Sequence, residues 1–300
     1  MREPRPAAAP PFSAGRAARR ARAGWRPLLA GLMASLCLGK AIAAPAPLPW
    51  SIAFYYGDSP PLAQLAEFDL AVIEPDSGFD PTAFPALPTQ WFAYVSVGEV
   101  DPSRSYYAQI PKRWLIGRNG EWHASVVDPA APGWPAFFVA HVIDPLWKQG
   151  YRGFFLDTLD SYQLVAKTDV QRERDRAGLV ALIEAIHRRY PTARLILNRG
   201  FELLPEVHDA VFAVAFESLY QGWSEAAGRY VEVPQDDRQW LLGQADLIRQ
   251  RYGLPVISID YCAPADAECA SRTVARIKAL GIVPYVGDGH LQTVNPASAN

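Results

Sequence analysis

Two carboxylates in this sequence follow strand-like apolar runs, and their positions suggest a shared chemistry. Asp157 follows the apolar residues of GFFLDTLDSY at 153–162, and Glu217 follows those of AVFAVAFES at 210–218. A pair of carboxyl groups on different strands is what glycoside hydrolysis requires, because one group protonates the leaving oxygen while the other attacks the sugar or activates water. We therefore predict that Asp157 and Glu217 form a catalytic pair.

The alternation of side chains along these two runs predicts where the carboxylates point. Successive residues of a strand face opposite sides, so Ala213 and Ala215 share a face with Glu217, and Phe155 shares one with Asp157. If the small residues face inward and the bulky ones face covering helices, Glu217 is aimed into the mouth of a barrel.

A third acid, Asp160, lies three residues beyond Asp157 and has a different expected role. Gln163 follows it at the spacing of a capping box, in which a side chain satisfies the free backbone N–H groups at the start of a helix. We predict that Asp160 is an N-cap, with a contact to substrate as the alternative.

The elements that must position these acids alternate between strands and helices. Eight apolar runs are predicted as strands: 51–56, 70–75, 91–99, 153–158, 194–199, 210–218, 255–261 and 282–288. Helices are predicted at 134–150, 174–190, 236–253 and 267–281, the last two ending on glycine. This alternation predicts an α/β fold with a parallel sheet, and eight strands favour a single-domain (β/α)₈ TIM barrel over an open sheet. No G-x-G-x-x-G follows the first strand, so a dinucleotide fold is not supported.

Barrel enzymes build their sites at the carboxyl-terminal ends of the strands, and six of these eight runs finish on or near an acid. Acids are costly in a core unless they are paired or solvated, so this gathering predicts a functional rim. Glu74, Glu99 and Asp260 have two open roles, holding a rim arginine or binding substrate. Besides the catalytic pair, the expected substrate-binding residues are Tyr55, Tyr56, Glu74, Glu99, Asp160, Asn198, Arg199, Tyr220, Asp260, Tyr261 and Asp288.

The first 43 residues have the pattern of a secretory signal peptide. Seven arginines precede the apolar run at 27–39, and AIAA follows at 41–44. A linker at 44–50 then leads into the barrel domain at 51–300. Cleavage leaves 21 Lys and Arg against 30 Asp and Glu, a net charge of −9. We expect a periplasmic or secreted monomer with no membrane anchor after cleavage, and the acidic charge excludes nucleic acid as a partner.

Two cysteines follow the predicted signal peptide, Cys262 and Cys269. An even pair in an oxidising compartment predicts a disulfide that closes a small loop. The five histidines are scattered and give neither a metal triad nor a Ser-His-Asp arrangement. We predict no metal and no cofactor.

Six segments in order resemble one enzyme family. FYYG, VSVGE, GFFLDTLDSY, ILNRG, AFESLY and SIDYC together are similar to the endo-α-1,4-polygalactosaminidases, glycoside hydrolase family 114, and to the related family 166 of exopolysaccharide hydrolases. The resemblance implies a (β/α)₈ endo-glycosidase for α-1,4-linked galactosamine or N-acetylgalactosamine polymers. Carried over by position, its catalytic acids fall on Asp157 and Glu217. By analogy with barrel hydrolases of α-glycosides, it implies a retaining mechanism with Asp157 as nucleophile and Glu217 as acid/base.

The charge of the chain adds an expectation about substrate. A partly deacetylated galactosamine polymer is cationic, and a cleft of one sign concentrates the opposite charge. We therefore expect a preference for polymer with some free amines. Two alternatives stay open: a non-catalytic polysaccharide-binding barrel, and a hydrolase of another α-glycoside.

Overall fold

Parallel strands in chain order surround the core of the protein. The structure is a computed structural model that describes residues 48–120 and 122–299, so the predicted signal peptide and the start of the linker lie outside the described residues. The sheet has eight strands, each hydrogen-bonded to the next along the chain. They are β1 Ile52–Tyr55, β2 Leu70–Ile73, β3 Gln90–Ser96, β4 Gly153–Asp157, β5 Arg194–Asn198, β6 Val211–Glu217, β7 Val256–Tyr261 and β8 Val283–Gly287.

The strands form a nearly closed barrel that is filled by aromatic rings. Tyr285 on β8 donates a hydrogen bond from its hydroxyl to the carbonyl of Phe54 on β1, at 2.8 Å, so the last strand meets the first. The rings of Phe54 and Phe155 lie 5.1 Å apart in an edge-to-face contact, and both are fully buried. The nearly closed (β/α)₈ barrel confirms the predicted fold. Because its interior is packed, a polymer can bind only at the mouth.

Helices occupy most of the connections between the barrel strands. They are α1 Leu62–Leu65, α2 Trp134–Phe138, α3 Asp144–Lys148, α4 Asp169–Arg189, α5 Leu204–Val207, α6 Gln235–Tyr252 and α7 Ala267–Lys278. A π-helical turn at Val139–Ile143 joins α2 to α3. Among the described residues, none of the helices is both long and apolar enough to cross a membrane.

Capping residues explain where the predicted helix boundaries differ from the observed ones. The helix predicted from residue 174 begins at Asp169, because Thr168 and Gln171 form a reciprocal capping box. Helix α6 ends at Gly253 in the left-handed conformation, as predicted. Helix α7 ends at Lys278, earlier than predicted, and Gly281 lies in the turn that follows, with a φ of 68°.

Two short antiparallel sheets are added to the barrel at its mouth. Glu99–Val100 and Leu115–Arg118 both pair with Ser125–Val127, so Glu99 belongs to this small sheet and not to β3. Gln221–Ser224 and Arg229–Glu232 form a hairpin that leaves the barrel directly after β6. A disulfide joins Cys262, just beyond β7, to Cys269 on α7.

Two acids that were predicted to bind substrate instead hold loops. The carboxylate of Asp260 is fully buried and accepts hydrogen bonds from the backbone N–H groups of Leu219, Tyr220 and Gln221 at 2.6–3.1 Å. Asp288 likewise accepts from the backbone of residues 290, 292 and 293. Contrary to the prediction, neither carboxylate is placed to bind substrate, because both are buried in these loop contacts.

The anchoring role of Asp260 predicts a loss of stability on truncation. In Asp260→Ala, the three backbone donors at 219–221 lose their acceptor in a buried site, so we expect the free energy of unfolding to fall by about 3 kcal/mol. Urea denaturation of this variant and of Asp58→Ala, an exposed aspartate, measures the difference. Equal stability of the two variants would contradict the anchoring role.

Candidate active site

The two predicted catalytic carboxylates meet at the carboxyl-terminal rim of the barrel. Asp157 ends β4 and Glu217 ends β6, and Asn198 ends β5, the strand between them. The amide nitrogen of Asn198 donates to Oδ1 of Asp157 at 2.8 Å and to Oε1 of Glu217 at 3.1 Å. One side chain therefore ties both carboxylates together.

Neighbouring residues fix the Asp157 carboxylate from the other side. Tyr94 on β3 donates its hydroxyl proton to Oδ2 of Asp157 at 2.8 Å. Thr158 has a positive φ of 61°, which is costly for a branched residue, and its hydroxyl accepts from the N–H of Gly98 at 2.9 Å. A Cβ on Gly98 would lie 2.2 Å from the Thr158 carbonyl oxygen, so this close approach requires glycine.

Glu217 has its own set of partners. Tyr261, at the end of β7, donates a hydrogen bond to Oε2 of Glu217. Arg199 adopts a φ of 59° and donates from its guanidinium to the Glu217 carbonyl at 2.7 Å. The carboxylate is thereby oriented toward Asn198 and Asp157.

Burial raises the pKa of both carboxyl groups. Burial raises the pKa of Glu217, and the negative charge of Asp157 raises it further, to about 7, although Tyr261 and Asn198 oppose the shift. Burial also raises the pKa of Asp157, against the hydrogen bonds from Tyr94 and Asn198. Glu217 is therefore a group that can hold a proton near neutral pH, as a general acid must.

A cleft of about 730 Å³ opens above this pair. Aromatic side chains line it, among them Tyr56, Tyr106 and the exposed Trp122, and the ring of Tyr56 lies 4.8 Å from that of Tyr94. Such rings offer apolar faces to the C–H groups of a sugar. Within the described residues there is no group of three or more His, Cys, Asp or Glu that could hold a metal ion.

Asp160 lies in this cleft, and its predicted capping role is wrong. It precedes a short 3₁₀ turn at Ser161–Leu164, but its side chain accepts no capping hydrogen bond there. The following helix α4 is capped by Thr168 instead. The Asp160 carboxylate is exposed and, within the described ranges, makes no hydrogen bond or ion pair, so it is free to meet a substrate.

The cleft includes about two thirds of the residues predicted for the site. Those that line it are Tyr56, Glu99, Asp157, Asp160, Asn198, Arg199, Glu217 and Tyr261. Glu99 is nearly buried there and accepts from the Asn119 amide at 3.0 Å.

Besides Asp260 and Asp288, three residues predicted to bind substrate lie outside the cleft. Tyr55 donates its hydroxyl to the carbonyl of Ser59 at 2.9 Å, and Tyr220 packs under the guanidinium of Arg276, 3.7 Å from its ring centre. Glu74 was predicted either to hold a rim arginine or to bind substrate, and it has the first role. These three are structural because internal partners occupy their polar or aromatic surface.

Glu74 holds Arg104, a cleft residue that the sequence reasoning missed. The guanidinium donates two hydrogen bonds to Glu74, at 2.6 and 2.8 Å, and a third to Asp76 at 2.9 Å.

Tyr94 was also missed, although strand alternation places it on the same face as Ser96, which pairs in register with Asp157. Inspecting only the strand ends overlooked it.

A barrel with an Asp and a Glu held together at its mouth has the arrangement of a glycoside hydrolase. The chain belongs to glycoside-hydrolase family GH114, whose family model matches residues 38–300. The glycoside hydrolase domain of PelA from Pseudomonas aeruginosa is 42% identical and superposes with a TM-score of 0.74, over 81% of this chain and 96% of that domain. The protein is therefore a glycoside hydrolase.

Two further proteins are more distantly similar to this chain. Ega3 from Aspergillus fumigatus, solved in complex with galactosamine, is 13% identical, with a TM-score of 0.59 over 82% of this chain and 93% of that one. An uncharacterized protein of Deinococcus radiodurans is 28% identical over 244 residues, which are 75% of this chain and 74% of that protein. The barrel is thus common to bacterial and fungal proteins.

The coupling between the two carboxylates predicts a change in the ionisation of Glu217. In Asp157→Asn, the negative charge that raises the Glu217 pKa is removed, so we expect that pKa to fall below about 7 while burial keeps it above its ordinary value. A pH titration of the glutamate side-chain carboxyl signals by carbon NMR measures the change, with Asp58→Asn as control. An unchanged Glu217 pKa would show that the carboxylates do not interact.

Proposed function

We propose that the protein is a secreted endo-glycosidase that hydrolyses α-1,4-linked galactosamine and N-acetylgalactosamine polymers with retention of configuration. The observation that supports this function best is the carboxylate pair bridged by Asn198. Because both carboxylates bind one nitrogen, their bonded oxygens lie within about 6 Å of each other, near the ~5–5.5 Å of retaining enzymes and below the ~6.5–9.5 Å of inverting ones.

The reaction has two steps. In the first, Oδ2 or Oδ1 of Asp157 attacks the anomeric carbon while protonated Glu217 gives its proton to the glycosidic oxygen, so the C–O bond breaks and the leaving chain departs with a hydroxyl group. In the second, Glu217 as carboxylate takes a proton from water. The water oxygen then bonds to the anomeric carbon, and Asp157 leaves as carboxylate.

The electrostatic coupling between Asp157 and Glu217 favours the change of Glu217 from acid in the first step to base in the second. Once Asp157 is bonded to the sugar it carries no charge, so one of the causes that raise the Glu217 pKa disappears. Glu217 then becomes a carboxylate more readily, which is the form that accepts the proton from water. Tyr94 and Asn198 stabilise Asp157 as an ion before attack and when it leaves.

Charge and position favour an amino-sugar polymer as substrate. The Asp160 carboxylate lies exposed beside the catalytic pair, and its charge acts on Asp157. An ammonium group on the substrate would form an ion pair with the Asp160 carboxylate. The net charge of −9 after signal cleavage would also attract a cationic polymer over longer range. The similarity to PelA and the galactosamine complex of Ega3 agree with this choice. The predicted signal peptide favours action in the periplasm or outside the cell, by a monomer.

Digestion in heavy-oxygen water tests the function. We expect galactosamine polymer to give oligosaccharides of several lengths from the first time points, with one heavy oxygen at each newly formed reducing end, as mass spectrometry would detect. Asp157→Asn should bind polymer and release no product. Absence of product from the unmutated protein would favour a non-catalytic polysaccharide-binding barrel. Cleavage of a neutral α-galactoside faster than of the galactosamine polymer would favour a hydrolase of another α-glycoside.

Polymers of graded acetylation in the same assay test the charge preference. At low salt, partly deacetylated polymer should be cleaved faster than fully acetylated polymer, and added salt should reduce the difference because it screens the attraction. Equal rates on both polymers at low salt would refute the preference and leave the hydrolase function intact.

A further inference from the structure

A second cavity, of about 440 Å³, adjoins the cleft at Glu217. Arg199, Glu217 and Tyr261 line both cavities, so the two spaces meet at the catalytic glutamate. Asp157 lines only the larger cleft. The smaller cavity therefore touches the acid of the pair and not the nucleophile.

The hairpin after β6 and the start of α6 form the walls of this cavity. Trp223 on the hairpin packs edge-to-face on Tyr230 at 4.9 Å and on His290 at 5.4 Å. A Cβ on Gly289 would lie 2.4 Å from the Trp223 ring, so the loop after β8 lies directly against it. Trp223 is thus a fixed partition, with the small cavity on one side and His290 in the larger cleft on the other.

Two side chains of α6 give the cavity the chemistry to bind an amino sugar. Trp240 is 50% exposed, and its described ring contact is an edge-to-face one with Phe201 at 5.6 Å. The Asp237 carboxylate is exposed and makes no hydrogen bond or ion pair in the part of the chain that the structure describes. The neighbouring Glu232, in contrast, is paired with Arg238 at 3.3 Å.

The direction of the reaction decides which part of a polymer belongs there. The sugar that Asp157 attacks must lie where both carboxylates are accessible, which is the larger cleft. The leaving oxygen is protonated by Glu217, so the chain beyond it extends past Glu217 and away from Asp157. The small cavity is the space on that side.

We propose that this cavity binds the leaving segment of the polymer, with Trp240 stacking on a sugar ring and Asp237 accepting the ammonium of a galactosamine unit. The proposal rests on the proposed function and adds the residues that select the leaving group. After this segment departs, another amino sugar that enters the cavity competes with water. Its hydroxyl oxygen bonds to the anomeric carbon and gives its proton to Glu217 while the bond to Asp157 breaks, so a new glycosidic bond forms and Asp157 leaves as carboxylate.

Comparison of a long and a short substrate tests the assignment. The long one is a galactosamine hexasaccharide, and the short one is a nitrophenyl α-galactosaminide, whose leaving group cannot span the cavity. We expect Trp240→Ala and Asp237→Asn to reduce kcat/KM about three- to tenfold more on the hexasaccharide than on the nitrophenyl glycoside. They should also reduce, by a similar factor, the ratio of transfer to added galactosamine over hydrolysis.

Matched variants separate this role from general damage. Asp236→Asn and Leu247→Ala change exposed side chains of the same helix that do not line the cavity. In these variants, the ratio of kcat/KM on the hexasaccharide to kcat/KM on the nitrophenyl glycoside should stay at the unmutated value. The ratio of transfer to hydrolysis should also stay unchanged. Trp240→Phe keeps a stacking ring and should recover most of the loss. The effect of Asp237→Asn should vanish on a fully acetylated hexasaccharide, which has no ammonium.

Equal losses on both substrates, or an unchanged transfer ratio, would overturn the assignment of the cavity while the hydrolase function stands. If the unmutated protein cleaves neither substrate, the proposed function fails, and the assignment fails with it. The two failures are therefore distinguished by the activity of the unmutated protein.

Discussion

The active site depends on one amide nitrogen held between two carboxylates. Asp157 and Glu217 are both partly buried and would repel each other if both were ionised, which raises the cost of keeping them close. The Asn198 amide offsets part of this cost by donating to each of them. It can do so because β5 lies between β4 and β6, so strand order supplies the geometry without any loop having to move.

The Asn198 amide is the middle of a chain of hydrogen bonds that runs across five neighbouring strands, from β3 to β7. Tyr94 on β3 binds the outer oxygen of Asp157, and Tyr261 on β7 binds the outer oxygen of Glu217. Burial raises the pKa of both tyrosines well above the ordinary value, so each stays protonated and donates throughout the neutral range. Every oxygen of the pair thus has a donor on an adjacent strand, which holds the carboxylates in a fixed orientation before substrate arrives.

Local pattern was enough to predict the barrel and the position of Asp157 and Glu217 at its mouth, but not the roles of the other rim acids. Strand alternation and strand ends are properties of a few consecutive residues, and they correctly placed Asp157 and Glu217 at the mouth. Asp260 ends its strand in the same manner, yet it turns to the backbone of residues 219–221, about forty positions away in the chain. Loop conformation decides such contacts, and no short segment encodes it.

For Asp160 the prediction failed in the opposite direction. Its spacing from Gln163 predicted a helix cap, but Thr168 caps the helix and Asp160 lies exposed in the cleft. Trp240 and Asp237 lie on a helix whose sequence gives no sign of a ligand, and only the hairpin after β6 creates a cavity beside them. Tertiary packing therefore determines which residues surround Asp157 and Glu217, whereas the positions of these two residues follow from the secondary structure.

If Asp157 attacks the sugar from the position that the shared amide fixes, the first product keeps the anomeric configuration of the substrate. Proton NMR of the anomeric signal during early hydrolysis of a galactosamine oligosaccharide distinguishes the two possible products before mutarotation. We expect the α-anomer first, because two successive displacements at the anomeric carbon retain its configuration. Initial release of the β-anomer would mean a single displacement by water and would contradict the assignment of Asp157 as nucleophile.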